Sequence, residues 1–243
     1  MKISQKDLDE VFDNAPLVEV AFEVRFAPLL SVLQATSAFQ AHIKDDYPGF
    51  HELRRLPFPA TEESTLDLLY EFWNPTEDRC LKVSIQSFGV VWKEYTTYED
   101  FREEIILRVN DFCKVNQIDQ FSRTGLRYIN HIKFHSEQAH ANLNRYVVFP
   151  METYGMGIEA VFIHRDETRF RTDEDLFTVR ISFFERDEKS PAESMCILDY
   201  DCYRDTTVSL GDLPPILDGF HNLIQVQFLS QVKDEFKDIM RRS

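Results

Sequence analysis

The sequence predicts an α+β fold: antiparallel sheets in two closely packed halves, each backed by an amphipathic helix, with a long helix at the C-terminus. Three observations carry this prediction. Apolar and polar residues alternate with period two, as where Val18, Val20, Phe22, Val24 and Phe26 interleave with Glu19, Ala21, Glu23 and Arg25. Two stretches, 98–115 and 216–239, repeat apolar residues at helical spacing instead. In the second half, strand-like runs are separated by short charged loops, the pattern of an antiparallel meander.

In chain order, residues 1–13 read as a polar lead-in. Asn14-Ala15-Pro16 signals a turn before the strand at 18–26, which Pro28 closes. A helix is expected from Leu30 to Tyr47, with Leu33, Phe39, Ile43 and Tyr47 inward and Pro48-Gly49 ending it. Residues 50–64 read as irregular. Leu66–Trp73 is expected as a strand, Asn74–Asp78 as a turn, and Cys80–Tyr95 as one long strand with a bulge or bend at Gly89. Thr96-Thr97-Tyr98-Glu99 is a capping-box pattern opening a helix with Tyr98, Phe101, Ile105, Val109, Phe112 and Val115 on one stripe. A strand from Phe121 to Phe134 follows.

A polar connector near residues 135–150 divides the chain into an N-terminal α+β half, 1–140, and a C-terminal meander-plus-helix half, 141–243, unless the two form one continuous domain. Strands are expected at Gly157–Asp166, Leu176–Arg186 and Met195–Arg204, with charged loops at Asp166–Asp175 and Asp187–Glu193. Pro214 and Pro215 then start a helix of about 25 residues carrying Ile216, Phe220, Leu223, Ile224, Phe228, Val232, Phe236 and Ile239; it would span roughly 38 Å.

The totals exclude several classes. With 43% hydrophobic residues, including 21 Phe and 9 Tyr, the 243-residue chain can build a real core. A net charge of −15 disfavours a broad phosphate-binding surface, and so direct nucleic-acid binding; a basic protein partner fits better. Cys80, Cys113, Cys196 and Cys202 form no Cys-x-x-Cys pair and read as reduced thiols filling the core. The N-terminal residues show no apolar signal region and no run approaches the ~18 apolar residues of a membrane span, so a soluble, cytoplasmic protein without membrane partners is expected.

The stretch most informative for a site is Gly125–Phe134. Leu126, Tyr128, Ile132 and Phe134 share one strand face with Asn130, a polar group that needs hydrogen bonds inside an apolar row. Arg127, His131 and Lys133 lie on the other face. Arg127 and Asn130 are therefore candidate binding residues, with a hydrogen bond from Asn130 to a loop or to the strand at 18–26 as the structural alternative. Asp199 and Asp201 share a strand face roughly 6.5–7 Å apart; they could hold a divalent cation, act as acid and base, or pair with an arginine such as Arg180. His131 and His135 lie about 13 Å apart on an extended strand, too far for one metal site, and with His140 read as strand-end and loop residues. No phosphate loop, nucleophile elbow or His-Glu-x-x-His motif occurs. No catalytic residue, metal ligand or cofactor is assigned.

Three segments carry a resemblance: Asn14–Phe26 (NAPLVEVAFEVRF), Gly125–Asn130 (GLRYIN), and Leu198–Tyr203 followed by His221-Asn222-Leu223-Ile224 and Phe228. On these the chain resembles a sporadically distributed, uncharacterised bacterial protein family of about this length. The resemblance implies no activity and no site residue. Patchy distribution implies an accessory gene, of the kind found in defence and toxin–antitoxin modules. The expected function is a non-enzymatic protein-interaction component of such a system, for instance in phage defence, with a partner encoded by a neighbouring gene and self-association as a further option. The alternatives are a small-ligand-binding module with an aromatic-lined cavity and, third, a metal-dependent hydrolase using Asp199 and Asp201.

Overall fold

The computed structural model describes residues 12–55, 67–134, 139–148, 163–172, 174–184 and 194–241. The fold is α+β, as the sequence predicts. The strands are β1 (Leu17–Arg25), β2 (Gly49–Arg55), β3 (Asp67–Trp73), β4 (Arg79–Val83), β5 (Ser87–Trp92), β6 (Gln120–Phe121), β7 (Arg123–Phe134), β8 (Ile163–Arg171), β9 (Leu176–Phe184), β10 (Ser194–Arg204) and β11 (Val208–Ser209). The helices are α1 (Ser31–Ile43), α2 (Tyr98–Asn116), α3 (Ala139–Tyr146), α4 (Leu213–Gln231) and α5 (Asp234–Met240). Among the described residues, those within 19–126 and 203–219 form one compact unit, and those within 1–18, 127–202 and 220–243 form another. The chain passes between them inside β1, β7, β10 and α4.

The first unit carries strands in the order β2-β3-β4-β5-β1. The alternation of β1 buries Val20, Phe22 and Val24, and β1 pairs antiparallel with β5 from Val20 opposite Trp92 to Arg25 opposite Ser87. Phe39 of α1 sits at the centre of the helix-covered face. Its ring meets Phe72 at 6.0 Å, Phe88 at 5.7 Å and Phe112 at 5.6 Å, each edge-on, while Phe88 and Phe112 stack at 4.5 Å. All four rings are fully buried, and such pairs add to the burial itself. Helix α2 starts where a cap was expected, one residue later: the Thr97 hydroxyl accepts from the Asp100 amide at 3.1 Å. It ends on Gln117, left-handed at φ 57°, whose amide returns to the Cys113 carbonyl.

The second unit carries strands in the order β7-β10-β9-β8. Its core joins Phe134 to Phe183 at 6.3 Å and Phe177 to Tyr200 at 6.3 Å, with Phe228 of α4 edge-on to Tyr200 at 6.4 Å. The fully buried Tyr200 hydroxyl donates to Gln231 Oε1 at 2.5 Å, so the last residue of α4 is tied to the sheet.

Five expectations need correction. The stretch expected as one strand with a bulge at Gly89 is the hairpin β4–β5. Ser84 and Ser87 close it, amide to carbonyl at 2.9 Å and hydroxyl to hydroxyl at 2.9 Å. Gly89 lies in unbroken register opposite Glu23 and Lys82; a Cβ there would come within 3.1 Å of the Phe22 carbonyl, so the glycine serves close strand approach. The stretch expected as irregular after Gly49 contains β2, paired with β3 from Gly49 opposite Trp73 to Arg55 opposite Asp67. The charged loop expected from Asp166 is strand as far as Arg171, because its charges pair with one another and with β9; residues 157–162 of the strand expected there lie outside the described residues. The long C-terminal helix breaks at Val232 and Lys233. There Val148 donates to the Gln231 carbonyl at 2.7 Å, and Lys233 donates to the Tyr146 carbonyl at 2.8 Å, so the chain after α3 supplies partners that helix continuation would have used. Helix α1 stops at Ile43 rather than Tyr47, although the Tyr47 amide still reaches the Ile43 carbonyl at 2.8 Å.

Phe112→Ala should cost about 3–5 kcal/mol, because its ring contacts Phe26, Phe39 and Phe88 in a close-packed cluster. Urea unfolding checks this; a loss below about 1 kcal/mol would show that the cluster collapses around the gap.

Candidate functional site

Strand alternation places Arg127 of β7, Asp199 of β10, Arg180 of β9 and Glu167 of β8 in one row across the second unit's sheet. Asp199 is the centre. Arg127 donates to it through Nε to Oδ1 and through Nη2 to Oδ2, both at 2.8 Å, a parallel two-bond fork. Arg180 Nη1 donates to Asp199 Oδ2 at 3.3 Å and lies 3.9 Å from Asp201 Oδ2. Arg180 Nε donates to Glu167 Oε2 at 2.8 Å, and Arg169 Nε donates to Glu167 Oε1 at 2.8 Å. Asp199 and Asp201 do share a face, and both turn toward Arg180 rather than framing an open cation position.

Burial and charge in this row are uneven. The Asp199 side chain keeps only 8% of its surface in solvent, Arg127 keeps 44% and Arg180 33%. Burial works against the Arg180 charge, but the hydrogen bond to Glu167 and the field of Asp199 outweigh it and raise its pKa. Hydrogen bonds from Arg180 and Arg169 hold the Glu167 carboxyl below its ordinary value. Charge alternates along the row, held by groups on four adjacent strands.

Asn130 points into the core and is 5% exposed. Its Nδ2 donates to the Leu198 carbonyl at 3.3 Å, next to Asp199 on β10, so its partner is β10 rather than β1. Tyr128 reaches His221 Nδ1 of α4 at 3.1 Å through its hydroxyl. The Asn14 amide donates to the Met240 carbonyl at 2.9 Å, and the His131 amide donates to the Pro16 carbonyl at 2.8 Å. The segments singled out in the sequence thus converge on β7, β10 and the C-terminal helices. His135 lies outside the described residues, as does the side chain of His140; no group of three or more metal-ligating side chains occurs among those described. No helix among them is long and apolar enough to cross a membrane.

Sequence reasoning missed a second polar constellation, in the first unit. Arg108 of α2, 6% exposed, donates through Nε to Glu104 at 2.9 Å and through Nη2 to Asp46 at 2.5 Å, with Asp111 at 3.6 Å from Nη1. The Tyr47 hydroxyl donates to the same Glu104 oxygen at 2.6 Å, and His42 meets Asp111 at 3.2 Å. Burial, with the Glu104 charge adding to it, pushes the Tyr47 hydroxyl well above its usual pKa and leaves it a donor. This constellation joins α2 to the chain after α1. The signal in the sequence was the Glu104/Arg108 spacing of four, a helical ion pair aligned with the buried stripe.

The four thiols are free and buried, as the sequence predicts. Burial pushes Cys80, Cys113 and Cys196 each up to about 12, with Glu71 adding to Cys80 and Asp119 to Cys113. They are therefore poor nucleophiles at neutral pH. No protein-family model matches the chain, and no curated protein shows significant similarity to it.

Two outcomes follow from this geometry. Asp199→Asn strips the acceptor charge from two arginines that can still reach water, so a loss of about 1–3 kcal/mol is expected in urea unfolding. A neutral result would mean that the arginines are fully served elsewhere. At pH 8, Cys80, Cys113 and Cys196 should react with an aromatic disulfide reagent roughly a thousandfold more slowly in the native protein than in urea, accelerating as pH rises. Peptide mapping of the labelled thiols identifies any site that reacts early in the folded state.

Proposed function

We propose that the protein is a non-enzymatic, cytoplasmic recognition component of a bacterial accessory system, of the defence or toxin–antitoxin kind, binding a protein partner. One observation carries this reading: the row Glu167–Arg180–Asp199–Arg127 is fixed by its own ion pairs while Arg127 keeps 44% of its side-chain surface in solvent. A guanidinium held by a two-bond fork loses little freedom when a partner docks on it, and Arg is enriched where interfaces concentrate their binding energy. The acids that a hydrolase would use are engaged by arginines instead, which favours recognition over turnover. The net charge of −15 selects a basic partner and speeds its approach. The resemblance to a patchily distributed bacterial family supports the accessory context and points to neighbouring genes for the partner.

The test is co-expression of the tagged chain with the products of its neighbouring genes, followed by native mass spectrometry. A stoichiometric complex is expected, weakening as salt rises, and weakening at least about tenfold in Arg127→Glu with the fold retained by circular dichroism. Failure to bind any neighbour, or a complex indifferent to both salt and Arg127→Glu, overturns the proposal. A small molecule retained on a solitary chain would move the assignment to ligand binding.

A further inference from the structure

Strand β2 stands at one end of its sheet, and among the described residues its ladder partner is β3 alone. Its other backbone edge, unpaired among those residues, is a template for another strand. Alternation puts Phe50, Glu52 and Arg54 on one face and His51 and Leu53 on the other. Phe50 is 43% exposed, and the Glu52 and Arg54 side chains are 41% and 71% exposed. Among the described residues Arg54 makes a long contact to Glu52, 3.3 Å, which is worth little in water.

We propose that β2 pairs antiparallel with β2 of a second copy of this chain, with Leu53 on the two-fold axis. The register follows from charge. In a two-fold antiparallel pair, residues equally far on either side of the centre face one another across the axis. Centring on Leu53 sets Glu52 opposite the partner's Arg54, and Arg54 opposite the partner's Glu52, while Leu53 meets its own copy. Centring on Glu52 sets Glu against Glu, and centring on Arg54 sets Arg against Arg, each unfavourable directly across a ladder. The other strand at a sheet end, β8, is less suited to this. Centring it on Thr168 opposes Glu167 to Arg169 twice, but it also opposes Arg165 to Arg171, and Glu167 is already held by Arg180 of β9 at 2.8 Å. Centring on Glu167 opposes Arg165 to Arg169, and centring on Asp166 opposes that acid to itself. In the register centred on Leu53, residues 51–55 of the two β2 strands overlap; a five-residue ladder is a small interface, so the dimer forms reversibly and at high concentration.

Sedimentation velocity of the full chain over rising concentration tests this. Wild type should pass from monomer to dimer. Glu52→Arg and Arg54→Glu should each weaken the dimer at least about tenfold, because each replaces both cross-strand pairs by like charges. Mixing the two variants should restore association as a one-to-one heterodimer, and the double exchange in one chain should restore the homodimer. Leu53→Lys, placing two cations on the axis, should also dissociate it. Circular dichroism confirms that each variant is folded, as expected for side chains outside the core. A wild type that stays monomeric up to about 1 mM overturns the proposal. So does a dimer insensitive to both single exchanges, or a mixture that fails to recover.

Discussion

A carboxylate almost without solvent contact sets the terms for the second unit. Asp199 sits at 5% exposure on β10, where an unpaired charge would be strongly disfavoured. Its partners must come from strands on either side, and they do: Arg127 from β7 and Arg180 from β9. A slip of one residue in β7 would turn Arg127 into the core and present Tyr128 or Leu126 to the carboxylate. The ion pairs therefore select one register among several that apolar packing alone would tolerate. Asn130 reinforces the choice from the opposite face by binding the carbonyl of Leu198, the residue just before Asp199. Two polar links on two faces thus fix β7 against β10, and Arg180 carries the constraint through β9 to Glu167 on β8.

The first unit solves the same problem with different chemistry. Its register is held by regular alternation in β1 and β5 and by an aromatic cluster in which Phe39, Phe72, Phe88 and Phe112 meet mostly edge-on. Apolar contacts are non-directional, so something polar must still fix where α2 lies along the end of α1. Arg108 does this. Its planar fork reaches Glu104 on its own helix and Asp46 just beyond α1, while Tyr47 closes the circuit to Glu104. Lysine could supply the charge at this position but not two directed bonds in one plane.

What the sequence revealed and what it hid divide along the range of the forces involved. Local periodicity made β1, α2, β9 and β10 visible, because each has one apolar and one polar face within its own residues. Strand β2 was invisible because Gly-Phe-His-Glu-Leu-Arg-Arg has no apolar row; it exists through its ladder to β3. The break at Val232 was hidden for a related reason: the apolar stripe continues through it, and the carbonyl and amide that interrupt the helix come from residues 146–148, far away in sequence. The hairpin between β4 and β5 had a local signal in Ser84 and Ser87, outweighed by the apolar residues on both sides. At the site, Arg127, Asn130, Asp199 and Asp201 could be nominated from strand faces. That Asp199 would take both Arg127 and Arg180, leaving no open pair of acids, depends on β7, β10 and β9 being neighbours, and strand order is not a local property.

Charge accounting then constrains how a recognition surface on this chain can operate. Twenty-seven basic residues stand against 42 acidic ones, so even complete pairing would leave 15 carboxylates in excess. The far field is negative however the pairs are arranged. That field reaches about 10 Å at 0.1 M salt, enough to bias the approach of a basic partner but too coarse to orient it. Orientation requires charges of both signs at fixed positions within contact range. On the proposed recognition role, the row from Glu167 to Arg127 would provide them, because its members are already held by one another's ion pairs. Approach and docking would therefore respond differently to change: removing scattered surface acids would slow association, whereas reversing Arg127 would speed dissociation.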